Sequence, residues 1–131
     1  MRKTILMVLL AVVSNSAAAA WVEIGLGDDG TTIAYANPTT IRKAGNRVKM
    51  WVLLELKTAK PTAAGEPYRS SKMQNEYDCK KERWRTLYDS WYSGKKGRGA
   101  VVYSTSEPGN WRPVPPTSGV ALLWQFACGE P

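Results

Sequence analysis

The sequence predicts a mainly β domain of the α+β class: six short strands joined by turns, with a C-terminal helix laid across one face of their sheet. Three observations predict it. Short runs of β-prone residues alternate with Gly-, Asn-, Asp- and Pro-rich turns along most of the chain. Near the end, the apolar positions Val120, Leu123, Trp124 and Ala127 switch to the helical period. Cys79 falls in a strand and Cys128 just past that stripe, so a single bond would tie helix to sheet.

Residues 1–20 read as an export signal. Arg2 and Lys3 form a positive start, Ile5 to Val13 an apolar stretch, and Ala18 and Ala20 the small residues that a signal peptidase needs. Cleavage is expected between Ala20 and Trp21, leaving one domain over 21–131. The apolar stretch is shorter than the roughly 20 residues of a membrane-spanning helix. No second long apolar run occurs, so no transmembrane segment is expected. No cysteine follows the cleavage position, and no lipid anchor is expected.

Trp21 to Leu26 reads as the first strand and Thr31 to Ala36 as the second, with Gly27-Asp-Asp-Gly30 as the hairpin turn. A calcium loop would need a D-x-D-x-D-G pattern, which this turn lacks. Asn37-Pro38 is expected to break the second strand, with Ile41 plugging the core from the following loop. Gly45-Asn46 turns the chain into a long third strand, Arg47 to Lys57. There Val48, Met50, Val52, Leu54 and Leu56 share the core face, and Lys49, Trp51, Leu53 and Glu55 share the other.

Lys60 to Pro67 reads as a flexible loop, and Tyr68 to Cys79 as the fourth strand with Met73, Tyr77 and Cys79 on one face. Glu82 to Ser93 is the fifth strand, Gly94-Lys-Lys-Gly-Arg-Gly99 a solvated hairpin turn, and Ala100 to Ser106 the sixth strand. The turn does not meet the G-x-x-x-x-G-K-[ST] pattern of a phosphate cradle. Pro115-Pro116 stops the preceding loop, and the hydroxyl of Thr117 or Ser118 caps the helix.

The chain has 18 Lys and Arg, 11 Asp and Glu, and no histidine. Losing Arg2 and Lys3 with the signal leaves 16 basic against 11 acidic side chains, a net of +5. That balance suits anionic partners, an anionic glycan among them, or serves solubility alone. Export argues against nucleic acid. In an oxidising compartment, Cys79 and Cys128 are expected as a disulfide.

Without histidine, Ser-His-Asp and Cys-His sites are excluded, and neither a metal site nor a cofactor is expected. Glu76, Asp78 and Asp89 could neighbour one another on adjacent strands. Their simpler role is cross-strand pairing with Lys72, Arg83 or Arg85. No catalytic residue is assigned, and the protein is read as a non-enzyme.

A partner-binding surface is the better candidate. If Trp84, Tyr88 and Tyr92 face the core, then Arg83, Arg85, Leu87 and Trp91 look outward, joined by Trp51 and Leu53 of strand three. Tryptophan and arginine dominate interface energetics. The competing expectation is that the loop Pro108 to Pro116 folds back and covers this patch with Trp111. Lys95, Lys96 and Arg98 on the basic hairpin form a second candidate surface.

Several short motifs then occur in order: Trp21-Val-Glu-Ile-Gly25, Asp29-Gly-Thr-Thr-Ile33, Asn46-Arg-Val-Lys-Met-Trp51, Tyr77-Asp-Cys79, Tyr92-Ser-Gly94, Trp111-Arg-Pro-Val-Pro-Pro116 and the late Cys128. Together they resemble the surface-adhesin protein E family of bacterial exported proteins over nearly the whole mature chain. The resemblance implies a six-stranded antiparallel sheet, with the helix tethered by a disulfide to its concave side. It also implies adhesion through host extracellular-matrix or serum proteins, and homodimer formation. The alternative is a periplasmic structural or envelope-maintenance protein that binds another envelope component.

Overall fold

The computed structural model describes residues 21–27 and 30–129. The expected export signal lies outside the described residues. Six strands, β1 (Val22–Leu26), β2 (Thr32–Ala44), β3 (Arg47–Pro61), β4 (Pro67–Asp78), β5 (Arg83–Tyr92) and β6 (Val101–Thr105), form one antiparallel sheet in chain order. The predicted mainly β architecture is what the chain adopts. A two-residue strand the sequence did not signal, β7 (Arg112–Pro113), pairs with Arg83 and Trp84 of β5. It continues the edge along which β6 pairs with the other end of β5.

The long third strand sets the core. Its alternation from Arg47 to Leu56 places Val48, Met50 and Val52 on one face, each buried, with Leu56 beyond them. Register carries this face across the sheet: Val48 opposes Tyr77, Met50 opposes Asn75, and Val52 opposes Met73. Helix α1 (Gly119–Cys128) packs on this side, which we call the helix face, and buries Leu123 and Ala127. Burying one leucine-sized side chain is worth about 1.5–3 kcal/mol, so even a helix of ten residues docks firmly.

Local chemistry fixes where the helix begins and ends. Ser118 Oγ accepts the Ala121 N–H at 3.1 Å, and Gly129 ends the helix in the left-handed region with φ 73°. The expected Cys79–Cys128 disulfide joins its last residue to the end of β4. Nearby, Trp124 donates its Nε1–H to the Asp78 carbonyl at 3.1 Å. Tyr77 lies fully buried beneath the helix, and desolvation pushes its hydroxyl pKa upward. That hydroxyl accepts from Asn75 Nδ2, whose Oδ1 in turn accepts from the Thr86 hydroxyl.

Two expected breaks take another form. The second strand does not stop at Asn37-Pro38: it continues past a register shift between Asn37 and Arg42. Asn37 Oδ1 accepts from the Thr39 N–H and hydroxyl, and Thr40 Oγ1 accepts from the Trp51 N–H. These side-chain oxygens give acceptors to the Thr39 and Trp51 N–H groups where the ladder is interrupted, while Ile41 packs on the core as expected. The loop expected from Lys60 to Pro67 shrinks to a turn. Lys60 and Pro61 pair with Tyr68 and Pro67, and the Thr62 N–H reaches the Glu66 carbonyl at 2.7 Å.

Candidate functional site

The side of the sheet away from α1, the open face, carries the charged and aromatic residues. Cross-strand register assembles it in rows. Arg47 opposes Asp78, which opposes Arg83; Lys49 opposes Glu76, which opposes Arg85; Trp51 opposes Gln74, which opposes Tyr88. The carboxylates in the first two rows are almost fully buried, and each is held by an arginine. Arg83 Nε lies 3.1 Å from Asp78 Oδ2, and Arg85 Nη2 lies 2.8 Å from Glu76 Oε1. Asp78 also accepts the N–H groups of Lys80 and Lys81 through Oδ1.

The Lys81 N–H above all, aided by Lys80 and Arg83, holds the Asp78 carboxyl below its ordinary pKa of 3.8. A carboxylate kept ionised in this way cannot serve as a general acid. Asp89 sits on the helix side, opposite Met73, so it does not join Glu76 and Asp78. Burial raises its pKa, opposed by the bond that its Oδ2 accepts from Trp91 Nε1. Among the described residues no three metal-ligating side chains come together.

Trp111 covers the arginine rows, as the competing expectation for the Pro108–Pro116 loop had it. Its ring centroid lies 4.4 Å from the Arg83 guanidinium carbon, 4.6 Å from that of Arg85 and 5.2 Å from that of Arg47. Cation–π contacts at exposed sites are worth about 0.5–1 kcal/mol each. The loop is positioned by β7 and by the Gly109 N–H, which donates to the Thr86 carbonyl. Beside Trp111 opens a cleft of about 550 Å³, lined by Arg47, Lys49, Lys80, Lys81 and Arg83 with Glu76 and Asp78.

The single outward patch expected from the sequence is divided. In β5, Thr86 opposes Asn75 and Tyr88 opposes Gln74, which leaves Leu87 as an extra, unpaired residue. This bulge inverts the alternation of the rest of the strand. Tyr88 and Tyr92, expected in the core, therefore lie on the open face. Tyr88 meets Trp51 edge-on at 5.6 Å and stays 37% exposed. Trp91, expected beside Arg83 and Arg85, turns to the helix side and packs against Tyr68 at 4.5 Å and Tyr103 at 4.6 Å.

Leu53 is corrected too. It lies on the open face but is only 2% exposed, because the basic hairpin turn folds back over it. Ser70 Oγ donates to the Gly94 carbonyl and accepts the Gly97 N–H, pinning the turn to β4. Lys96 reaches the Tyr35 ring at 5.3 Å, and Tyr35 opposes Leu53 across the sheet. The turn is therefore a packed element and not a solvated one, although Lys95, Lys96 and Arg98 remain exposed on its outer side. Arg47, Lys49 and Tyr88 were not assigned to a binding surface from the sequence. The alternation of β3 already aligns Arg47 and Lys49 with Trp51, whereas Tyr88 was hidden by the bulge.

A second cleft, about 230 Å³, lies between α1 and the helix face, lined by Ala34, Leu54, Met73, Trp84, Val120 and Leu123 with Asn75 and Thr86. The Thr86 hydroxyl there donates to Asn75 Oδ1, and the remaining lining is mostly apolar.

Comparison with known proteins agrees with this architecture. The surface-adhesin protein E profile matches residues 21–129. Crystal form II of Haemophilus influenzae protein E superposes with a TM-score of 0.64 at 13% identity, covering 82% of this chain and 87% of that one. Protein E from non-typeable Haemophilus influenzae gives 0.62 at 11% identity, covering 85% and 76%. The selenomethionine form of Haemophilus influenzae protein E gives 0.64 at 10%, covering 86% and 88%. At these identities the structures speak for the fold alone. No curated protein matches the chain by sequence.

Proposed function

The chain belongs to the surface-adhesin protein E family, which makes it an exported adhesin-like binding module, and we propose that it holds host extracellular-matrix or serum proteins on the open face of its sheet. It does so without catalysis. One observation carries the reading: Trp51 and Tyr88 lie beside an arginine cluster whose guanidinium groups are held in place by buried carboxylates and by Trp111. Tryptophan, tyrosine and arginine are the side chains that most often dominate binding energy, and preorganised ones lose little entropy on contact.

The test is a panel of immobilised matrix and serum proteins, probed with the mature chain and with Tyr88→Ala. Tyr88 is at the surface and its truncation leaves the helix face untouched, so the variant should fold. The expected result is binding to at least one panel member, weakened about tenfold or more in the variant. Equal binding by both proteins would place the contact elsewhere. Binding to none of the panel would reject the host-protein reading and send the search to envelope components.

A further inference from the structure

We propose that what the open face recognises is an extended polyanionic polysaccharide, sulfated or rich in uronic acid, carried by those host partners. The proposal deepens the binding role given to this face and rests on it. Its basis is the layout of charge along the sheet.

One cationic cluster is the cleft beside Trp111. Asp78 and Glu76 are occupied by Arg83, Arg85 and two backbone N–H groups. Arg47, Lys49, Lys80 and Lys81 line the same cleft, and among the described residues none of the four is in an ion pair. The other cluster is the outer side of the hairpin turn, where Lys95, Lys96 and Arg98 line a cleft of about 620 Å³ with Glu55. Ser70 pins that turn in place, so the backbone that carries these charges is fixed relative to the sheet.

The two clusters are anchored at Asp78 and Ser70, opposite ends of one run of β4. At about 3.3 Å per residue they stand on the order of 26 Å apart. A lone anion or a single lipid headgroup reaches only one of them. A linear polyanion reaches both. Between them lie Trp51 and the exposed Tyr88, packed edge-on, aromatic rings of the kind that pack against the C–H surface of a pyranose. An acidic peptide would satisfy the charges, but it has no general use for the aromatic middle.

The experiment measures binding of the mature chain to heparin, to unsulfated heparosan, to neutral dextran and to polyglutamate. Salt is raised from about 50 mM to about 0.5 M, a range over which charge screening steepens severalfold. Heparin should bind, with heparosan weaker and dextran absent, and the affinity should fall steeply with salt. Arg47→Glu with Lys49→Glu, and separately Lys95→Glu with Arg98→Glu, should each weaken heparin binding about tenfold. Should the first pair disturb folding, Lys80→Glu with Lys81→Glu probes the same cleft from an exposed turn. Tyr88→Ala should lower affinity while leaving the salt dependence unchanged.

Heparin affinity untouched by both cluster reversals would overturn the proposal. So would polyglutamate binding as tightly as heparin with Tyr88→Ala without effect, which describes a charge-only surface for acidic peptides. Failure of heparin to bind, alongside retained binding to matrix proteins stripped of their glycan chains, would sink the glycan reading and leave the protein-binding role standing. Failure with both would remove both.

Discussion

Replacing both members of the Cys79–Cys128 bond with alanine should lower the unfolding free energy by about 4 kcal/mol. The bond spans a sequence separation of 49, so it closes a loop of about 50 residues in the unfolded chain. Chain entropy then gives about 14 cal/mol/K, or about 4 kcal/mol at 25 °C. Small domains have only about 5–15 kcal/mol in total, so the variant should fold with little margin. Alanine is the right replacement because both sulfurs are partly buried and pack on the core, where a serine hydroxyl would add its own cost.

The assay is urea unfolding followed by tryptophan fluorescence, with Trp84 and Trp124 both packed on the core. At a typical slope of about 2 kcal/mol/M the midpoint should move down by about 2 M. The helix should stay docked in the folded variant. Leu123 and Ala127 remain buried, and the Trp124–Asp78 bond does not depend on the sulfurs. A single transition is therefore expected. Two results would refute the reasoning: a loss below about 1 kcal/mol, or a separate early transition in which the helix leaves while the sheet persists. The second would mean that the bond holds the native state together instead of restricting the unfolded one.

Gly97→Ala should cost about 1–2 kcal/mol, because Gly97 has φ +73° and a Cβ there would run into the Lys72 side chain. Thermal unfolding reads the cost, hydrogen exchange at the backbone N–H of position 97 reports the lifted turn, and Lys72→Ala should restore part of the loss. Asp89→Asn should stabilise the domain at neutral pH. The folded-state pKa of Asp89 is raised by burial, so its stabilising share is present below the unfolded value and lost as pH rises through the folded one. The advantage of the asparagine variant should therefore shrink on acidification, as unfolding curves at several pH values would show. Asp78 has the opposite slope: its lowered pKa contributes stability above the unfolded value that disappears as pH falls, and Asp78→Asn should remove that acid limb.

The helix face was legible because its determinants are local or, for the disulfide, leave no alternative. Strand β3 alternates from Arg47 to Leu56, Ser118 caps its own helix three residues before Ala121, and two cysteines allow one pairing. The open face was legible only in part. Arg83 and Arg85 precede the bulge and lie where alternation places them. Trp91, beyond it, lies on the reverse side, because one unpaired residue at Leu87 shifts every side chain that follows. Nothing local to Thr86-Leu-Tyr88 marks the bulge. It is seen only once β4 is laid against β5.

The same physics explains the hairpin turn. Its glycines and lysines have the composition of a solvated connection, and composition alone gives no reason for it to pack. What holds it is the Ser70 hydroxyl, 27 residues before Gly97, which satisfies one carbonyl and one N–H of the turn at once. A buried backbone group must find a partner, and here that partner comes from a neighbouring strand. The consequence is functional. Because the turn lies over Leu53, that leucine supports the face from below instead of contacting a partner, and the charges of Lys95, Lys96 and Arg98 are carried on a fixed platform. Fixed charges at both ends of a strand select ligands by length as well as by sign, which a flexible basic turn could not do.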